Sequence, residues 1–145
     1  MASTPPKVII KTVTRIHIFL YRISGGKIWS RMAGLPVLLL TTTGRKSGQP
    51  RTTPVVYHRD GDDYLIVASN GGFDPHPAWY YNLEATPEVR VEVGDQAFDA
   101  QARITEGDMR NQHFETFKSS SPNFILYERR AQRTIPVIRL TPHGN

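Results

Sequence analysis

The chain contains no cysteine among its 145 residues. This excludes disulfide frameworks, thiolate metal sites and cysteine nucleophiles together, and it suits a reducing cytoplasm. A metal site would have to come from the five histidines and the acids. His17, His58, His76, His113 and His143 lie far apart and show no ligand spacing such as H-E-x-x-H, so no metal is expected. No apolar run approaches the roughly 20 residues needed to cross a bilayer. The first 25 residues do not read as a signal peptide. Their longest uncharged apolar stretch, Ile16 to Tyr21, is flanked by Arg15 and Arg22, and no small-residue cleavage site follows. Acidic side chains are also in deficit. Eighteen Lys and Arg against 13 Asp and Glu leave a net charge of +5, which points to an anionic partner. Nucleic acid, an anionic membrane and a phosphorylated small molecule compete for that place. No helix-turn-helix, finger or RNP pattern appears, and the charge is divided between a loop and a helix face, which argues against nucleic acid.

What is present reads as one soluble globular domain. Hydrophobic residues make up 39% and charged residues 21%, and a chain of this length buries roughly 68–70% of its unfolded surface on folding. Residues 7–23 predict an amphipathic helix. At 100° per residue, Lys7, Lys11, Arg15 and Arg22 fall within an arc of roughly 80°, while Ile9, Val13, Ile16 and Leu20 centre on the opposite side. Such a helix either packs on the domain or rests on an anionic membrane surface. Gly25 and Gly26 end it, which divides the chain into a helical segment over 1–25 and a domain over 26–145. Strands are expected over 36–43, 51–58, 63–69, 88–94, 96–104 and 134–140, with hairpin turns at Asp60-Gly61-Asp62 and Gly94-Asp95. Helices are expected from Pro77 to about Ala85 and over 105–118 and 122–131. Strands near in sequence, with helices inserted rather than alternating, predict a mainly β, α+β domain built on an antiparallel barrel.

Three patches carry chemistry. Between two strands, Gly44-Arg45-Lys46-Ser47-Gly48-Gln49-Pro50-Arg51 combines turn-forming glycines with three cations and a hydroxyl. Such a loop can hold phosphate or carboxylates through charge-assisted bonds, or it can be a basic turn kept soluble by its charges. It is not a Walker loop. A second patch joins Ser69-Asn70-Gly71-Gly72, where paired glycines after a strand permit close approach of a ligand, to a helix carrying Trp79 and Asn82 on one side. Trp79 is either a ligand platform or a core residue. The third holds Phe124 and Tyr127, three apart, which either line a pocket or pack.

Taken in order and at this distance, T-T-G-R-K-S-G-Q-P-R at 42–51 and P-x-W-Y-x-N-L at 77–83, within LLLTTTGRKSGQPRTTPV, ASNGGFDPHPAWYYNL and RTIPVIRL, form a specific combination. The chain resembles the deazaflavin-dependent nitroreductase family of actinobacteria over roughly residues 8–141. The resemblance implies an FMN-binding-like split β-barrel that uses coenzyme F420 (a phosphate-bearing 8-hydroxy-5-deazaflavin). It implies further that Arg45, Lys46, Ser47 and Arg51 grip the coenzyme's phosphate and acidic tail. Thr52, Thr53, Pro54, Val55 and Val56, with Val67, Ala68, Ser69 and Asn70, would lie along the ring, and Ala78, Trp79 and Asn82 would complete the cleft. Tyr127, with Phe124 beside it, belongs by resemblance to the aromatic group near the acceptor. Tyr127 is the catalytic candidate and Ser69 the second. The implied activity is hydride transfer from the reduced coenzyme to a menaquinone, an enone or a nitroaromatic. The alternative is a related split-barrel protein that binds a flavin, deazaflavin or lipid without this activity. Two departures stand out. Asn70 occupies a position where a lysine is often found, and Phe124 one where a tyrosine can occur, which implies fewer phosphate-side cations and a different acceptor range.

Overall fold

A computed structural model describes residues 6–144, so the first five positions of the 1–25 segment and Asn145 lie outside the described residues. Seven strands are present among the described residues: β1 (Arg31–Met32), β2 (Leu35–Thr43), β3 (Pro50–Asp60), β4 (Asp63–Val67), β5 (Glu88–Val93), β6 (Gln96–Ile104) and β7 (Val137–Pro142). Among the described residues four α-helices accompany them, α1 (Lys7–Ile23), α2 (Ala78–Ala85), α3 (Gly107–Ser120) and α4 (Asn123–Arg130), with a short 3-10 turn at Asn70–Gly72. All strand pairs are antiparallel, in the order β1-β2-β3-β4-β7-β6-β5. A further pairing of Leu39, Leu40 and Thr41 with Glu92, Val91 and Arg90 joins β2 to β5 and closes a six-stranded barrel. The fold is the expected split β-barrel with helical decoration.

The apolar run in β2 is continuous because both of its faces are covered. Leu38 and Leu40 point into the barrel with Ile66, Val91, Ile138 and Leu140, all fully buried. Val37 and Leu39 point outward beneath Tyr21 of α1. On the opposite outer wall, Phe114 and Phe117 of α3 and Phe124 of α4 pack on Leu65, Val67 and Val137. Burying a phenylalanine contributes roughly 1.5–3 kcal/mol, so this cluster fixes where α4 sits.

Two elements differ from expectation. The last strand begins at Val137 rather than Thr134. Pro136 has no N–H for a ladder; its carbonyl accepts from Ala68 N at 2.9 Å, and the Ile135 carbonyl is taken by the Arg110 guanidinium at 2.8 and 3.0 Å. The two-residue β1 carries no periodicity that a sequence pattern could reveal.

Helix α1 packs on the barrel, but not through its predicted apolar stripe. The docked side is His17 and Tyr21, with Ile18 half-buried. The Tyr21 hydroxyl donates to the Val37 carbonyl (3.0 Å) and accepts from Gly94 N (2.9 Å). Burial pushes this phenol up, against the lowering effect of the Gly94 N–H, so it stays protonated. Arg22 forms a two-pronged pair with Glu92 at 2.9 and 2.8 Å. The chain leaves the helix through Gly26, where a Cβ would lie 2.4 Å from Gly94 Cα and where φ is +79°, so only glycine fits. Ile9, Val13, Ile16, Phe19 and Ile23 remain between 47% and 62% exposed.

Candidate functional site

A cleft of about 900 Å³ opens between the β2–β3 loop, the 69–72 turn, α2 and α4, at the upper end of the range for small-molecule sites. Every residue that the resemblance assigns to the site lines it except Thr52 and Ala68. The Thr52 hydroxyl is instead paired with that of Thr41 at 2.7 Å, and Ala68 is fully buried in the barrel core. Gly44 and Gly71, from the two glycine-bearing patches, line the cleft as well, and so do Met32, Ala33, Pro77 and Asn123, which were not assigned to the site. Met32 and Ala33 come from the two-residue β1 and its turn, which carry no sequence signal. Asn123 sits one turn from Tyr127 on α4 and was open to the same spacing argument that found Phe124.

The basic end is a tight turn. Gly44 N donates to the Gln49 carbonyl and Gly48 N to the Gly44 carbonyl, both at 2.8 Å. The Ser47 hydroxyl accepts from Gln49 N at 3.1 Å and lies 3.5 Å from an Arg51 nitrogen. Arg45, Lys46 and Arg51 are exposed, and among the described residues none of them pairs with a carboxylate. Three uncompensated cations on one wall make a strong positive potential that favours an anion. Asn82 supports this loop from α2. Its side chain is buried, accepts from Arg45 N at 3.0 Å and donates to the Thr42 hydroxyl at 3.1 Å. Tyr81 lies under the Arg45 guanidinium, 4.7 Å from ring centroid to Cζ, a stacking that steers the arginine. Beside α2, burial holds the His76 imidazole below its usual range, with Arg133 adding to the effect. The His76 ring lies 4.4 Å from that of Tyr80, tilted by 46°.

The middle wall is apolar: Pro54, Val55 and Val56 from β3 and Val67 from β4 face Trp79 of α2 across the cleft. Ser69, Asn70 and Tyr127 line the remaining end, where Tyr127 and Val56 pack on one core cluster and the 70–72 turn lies against the Tyr127 backbone. Asn70 has φ +49°, a conformation asparagine tolerates better than most residues, and its amide donates to the Pro75 carbonyl at 3.0 Å. Phe124 is almost wholly buried and meets the Tyr127 ring edge-on at 5.5 Å. The Tyr127 hydroxyl makes no hydrogen bond among the described residues. A planar molecule with an anionic arm therefore fits the cleft by chemistry. The arm meets cations at one end, a flat body meets β-branched and aromatic side chains, and an exposed edge meets a phenol and a hydroxyl. Among the described residues no group of His, Asp and Glu could hold a metal ion, and no helix is long and apolar enough to cross a membrane.

Comparison with known proteins is consistent across sequence and structure. The family described as F420H(2)-dependent quinone reductase matches residues 13–142. An F420H(2)-dependent quinone reductase of Mycobacterium tuberculosis is 42% identical over 131 residues, covering 88% of each chain. A solved F420-H2 dependent reductase, FDR-A, superposes with a TM-score of 0.66 at 38% identity, over 72% of this chain and 93% of that one. A solved domain-swapped dimer superposes with a TM-score of 0.70 at 32% identity, over 94% of this chain and 99% of that one.

Proposed function

The chain belongs to the F420H(2)-dependent quinone reductase family and its hydride donor is reduced coenzyme F420, and from that premise we propose that it reduces a quinone held at the Tyr127 end of the cleft, with enones and nitroaromatics as further acceptors. The observation that carries this reading is the polarity of the cleft: carboxylate-free cations at one end, a phenol and a hydroxyl at the other, and an apolar wall between. That donor set fits the coenzyme, whose phosphate and acidic tail call for cations and whose ring calls for a flat apolar slot.

When bound, the reduced coenzyme supplies a hydride, two electrons in one step. The protein's residues do the rest. Arg45, Lys46, Ser47 and Arg51 hold the anionic arm, and Asn82 keeps that loop in place. Thr53 to Val56, with Val67 and the 69–70 backbone, form the ring-side wall, and Trp79 and Ala78 close it. Tyr127 donates a hydrogen bond to the acceptor oxygen, which strengthens as negative charge develops there; Ser69 is the second donor. Anaerobic oxidation of reduced coenzyme F420 by the purified protein, against a panel of menaquinone, enones and nitroaromatics, tests the reading. Turnover with the quinone is expected, together with coenzyme binding in the micromolar range and much weaker binding of FMN. Equal or tighter FMN binding, or binding of the coenzyme without turnover of any acceptor, would favour the alternative of a non-catalytic split-barrel binder.

The 1–25 segment serves a separate purpose from the 26–145 barrel in this reading: it rests on the inner, anionic face of the cell membrane, where a lipid-soluble quinone is found. Its support is the exposed apolar stripe of α1 beside Lys7, Lys11 and Arg15. Each basic residue near such a surface contributes about 1 kcal/mol. Full-length protein is expected to co-sediment with anionic vesicles and not with neutral ones, and the K7Q/K11Q/R15Q variant to lose most of that binding. Failure to sediment with either vesicle would confine α1 to its packing role.

A further inference from the structure

We infer that Arg133, seconded by Arg130, is a positioning residue that locks the 68–73 turn on one side of the cleft to helix α4 on the other. The inference rests on the function proposed above, because it concerns how the two walls of that cleft are kept in register.

Ser69 and Asn70 reach the cleft from the end of β4, and Tyr127 reaches it from α4, far along the chain. Backbone touches backbone where they meet. A Cβ on Gly72 would lie 2.7 Å from both Cα and the carbonyl oxygen of Tyr127, and the residue holds φ at +81°. Contact that close leaves no side chain at Gly72 to set the register; the Ala68 N–Pro136 carbonyl bond and a bond from Gln132 N to Asp74 at 3.3 Å tie the same segments, and side chains add the rest. Two arginines supply it. Arg130, the last residue of α4, donates to the Gly71 carbonyl at 2.8 Å and covers the Phe73 ring at 4.6 Å. Arg133 donates to the Ala68 carbonyl at 3.2 Å, the Ser69 carbonyl at 3.0 Å and the Phe73 carbonyl at 3.1 Å. Its Nε lies 3.1 Å from an Asp74 carboxylate oxygen, and its side chain is only 14% exposed.

A surface ion pair with Asp74 would need one cation and would accept lysine. Gathering carbonyls from both ends of a turn needs several donors in one plane, which the guanidinium has and the ammonium, a single point of charge, lacks. The mechanical consequence falls on the far end of the cleft. The basic loop is held independently, by Asn82 on α2. Releasing the turn would therefore leave the coenzyme's anionic arm gripped while the ring-side wall drifts against Tyr127. Hydride transfer is sensitive to such drift, since a misplacement of about 1 Å can cost on the order of a hundredfold.

The test uses full-length Arg133→Met and Arg133→Lys variants with three readouts. Without coenzyme, the amides of residues 69–73 should exchange with solvent roughly tenfold faster than in the wild type, while those of 38–40 in the barrel stay unchanged. Coenzyme affinity by fluorescence titration should stay within about threefold. Single-turnover oxidation of the bound reduced coenzyme at saturating acceptor should slow by about 10- to 100-fold. The lysine variant keeps the charge and decides the matter if the methionine variant does not fold. Wild-type exchange and rate with lysine would overturn the inference, reducing Arg133 to an ion-pair partner of Asp74. Affinity falling in step with rate would overturn it too, as general loss of structure. If the wild-type protein itself turned over no acceptor, the proposed function would fail while the exchange result still reported on the clamp.

Discussion

Replacing Arg45 and Lys46 together by alanine is expected to weaken coenzyme binding about a hundredfold at low salt. A hydrogen bond to a charged group contributes about 1.5–3 kcal/mol, and both side chains are exposed, so the low end applies. Two contacts of about 1.5 kcal/mol come to about 3 kcal/mol, close to two tenfold steps of 1.4 kcal/mol each. The gap between wild type and variant should narrow as salt rises, because the screening length falls from about 10 Å at 0.1 M to about 3 Å at 1 M. The fold itself should be unaffected, since Arg45 engages α2 through its backbone N–H to Asn82, which alanine keeps. Fluorescence titration of coenzyme F420 at several salt concentrations measures both effects. Wild-type affinity in the double variant at low salt would reduce these cations to a solvated turn.

Tyr127→Phe is expected to slow quinone or enone reduction by on the order of 10- to 1,000-fold, the lower part of what loss of one donor costs in well-formed oxyanion sites. Coenzyme affinity should remain within a factor of about two. The separation follows from geometry. The ring meets Phe124 edge-on and the backbone sits against Gly72, contacts that phenylalanine preserves, while the hydroxyl is free for the acceptor. An interaction that strengthens only as the acceptor gains charge lowers the barrier without changing how the coenzyme is held. Single-turnover rates with several acceptors provide the measurement. Near-wild-type rates with all of them would pass the role to Ser69 or to solvent.

The strands and helices that bound the cleft were legible in the sequence because each has a period or a turn residue to mark it. Alternation marks β5 and β6, Asp60-Gly61-Asp62 marks the β3–β4 turn, and Pro77 marks α2. A barrel was expected, but which strands close it was not legible, because the β2–β5 pairing joins residues about 50 positions apart and leaves no local trace. Nor was the orientation of α1. Its wheel offers two apolar arcs, and the larger would be the usual choice for packing. The barrel takes the smaller one instead, since His17 and Tyr21 find hydrogen-bond partners in the Trp29 and Val37 carbonyls, which aliphatic side chains cannot use. The cleft lining was legible mainly through motif resemblance. Spacing alone left Trp79 and Phe124 undecided between core and site, and the structure makes them both: Phe124 is a core residue with one edge in the cleft. Arg133 opens the RTIPVIRL segment that helps carry the resemblance, but its role gave no signal, because an arginine after a helix reads as solvated surface.

The short β2–β5 seam also governs how this protein would aggregate. A sheet that closes on itself shortens the rows of unpaired N–H and C=O groups open to an incoming strand; among the described residues they include the two-residue β1 and the 50–56 half of β3, whose ladder runs to β2 alone. An apolar, β-branched segment such as Leu35–Thr43 would otherwise template strand addition from a second chain. It is held in place by seven residue pairs with β3 but only three with β5, so the barrel unzips first along the latter. Opening of that three-pair seam would thus add one side of β2 to the edges open to strand addition.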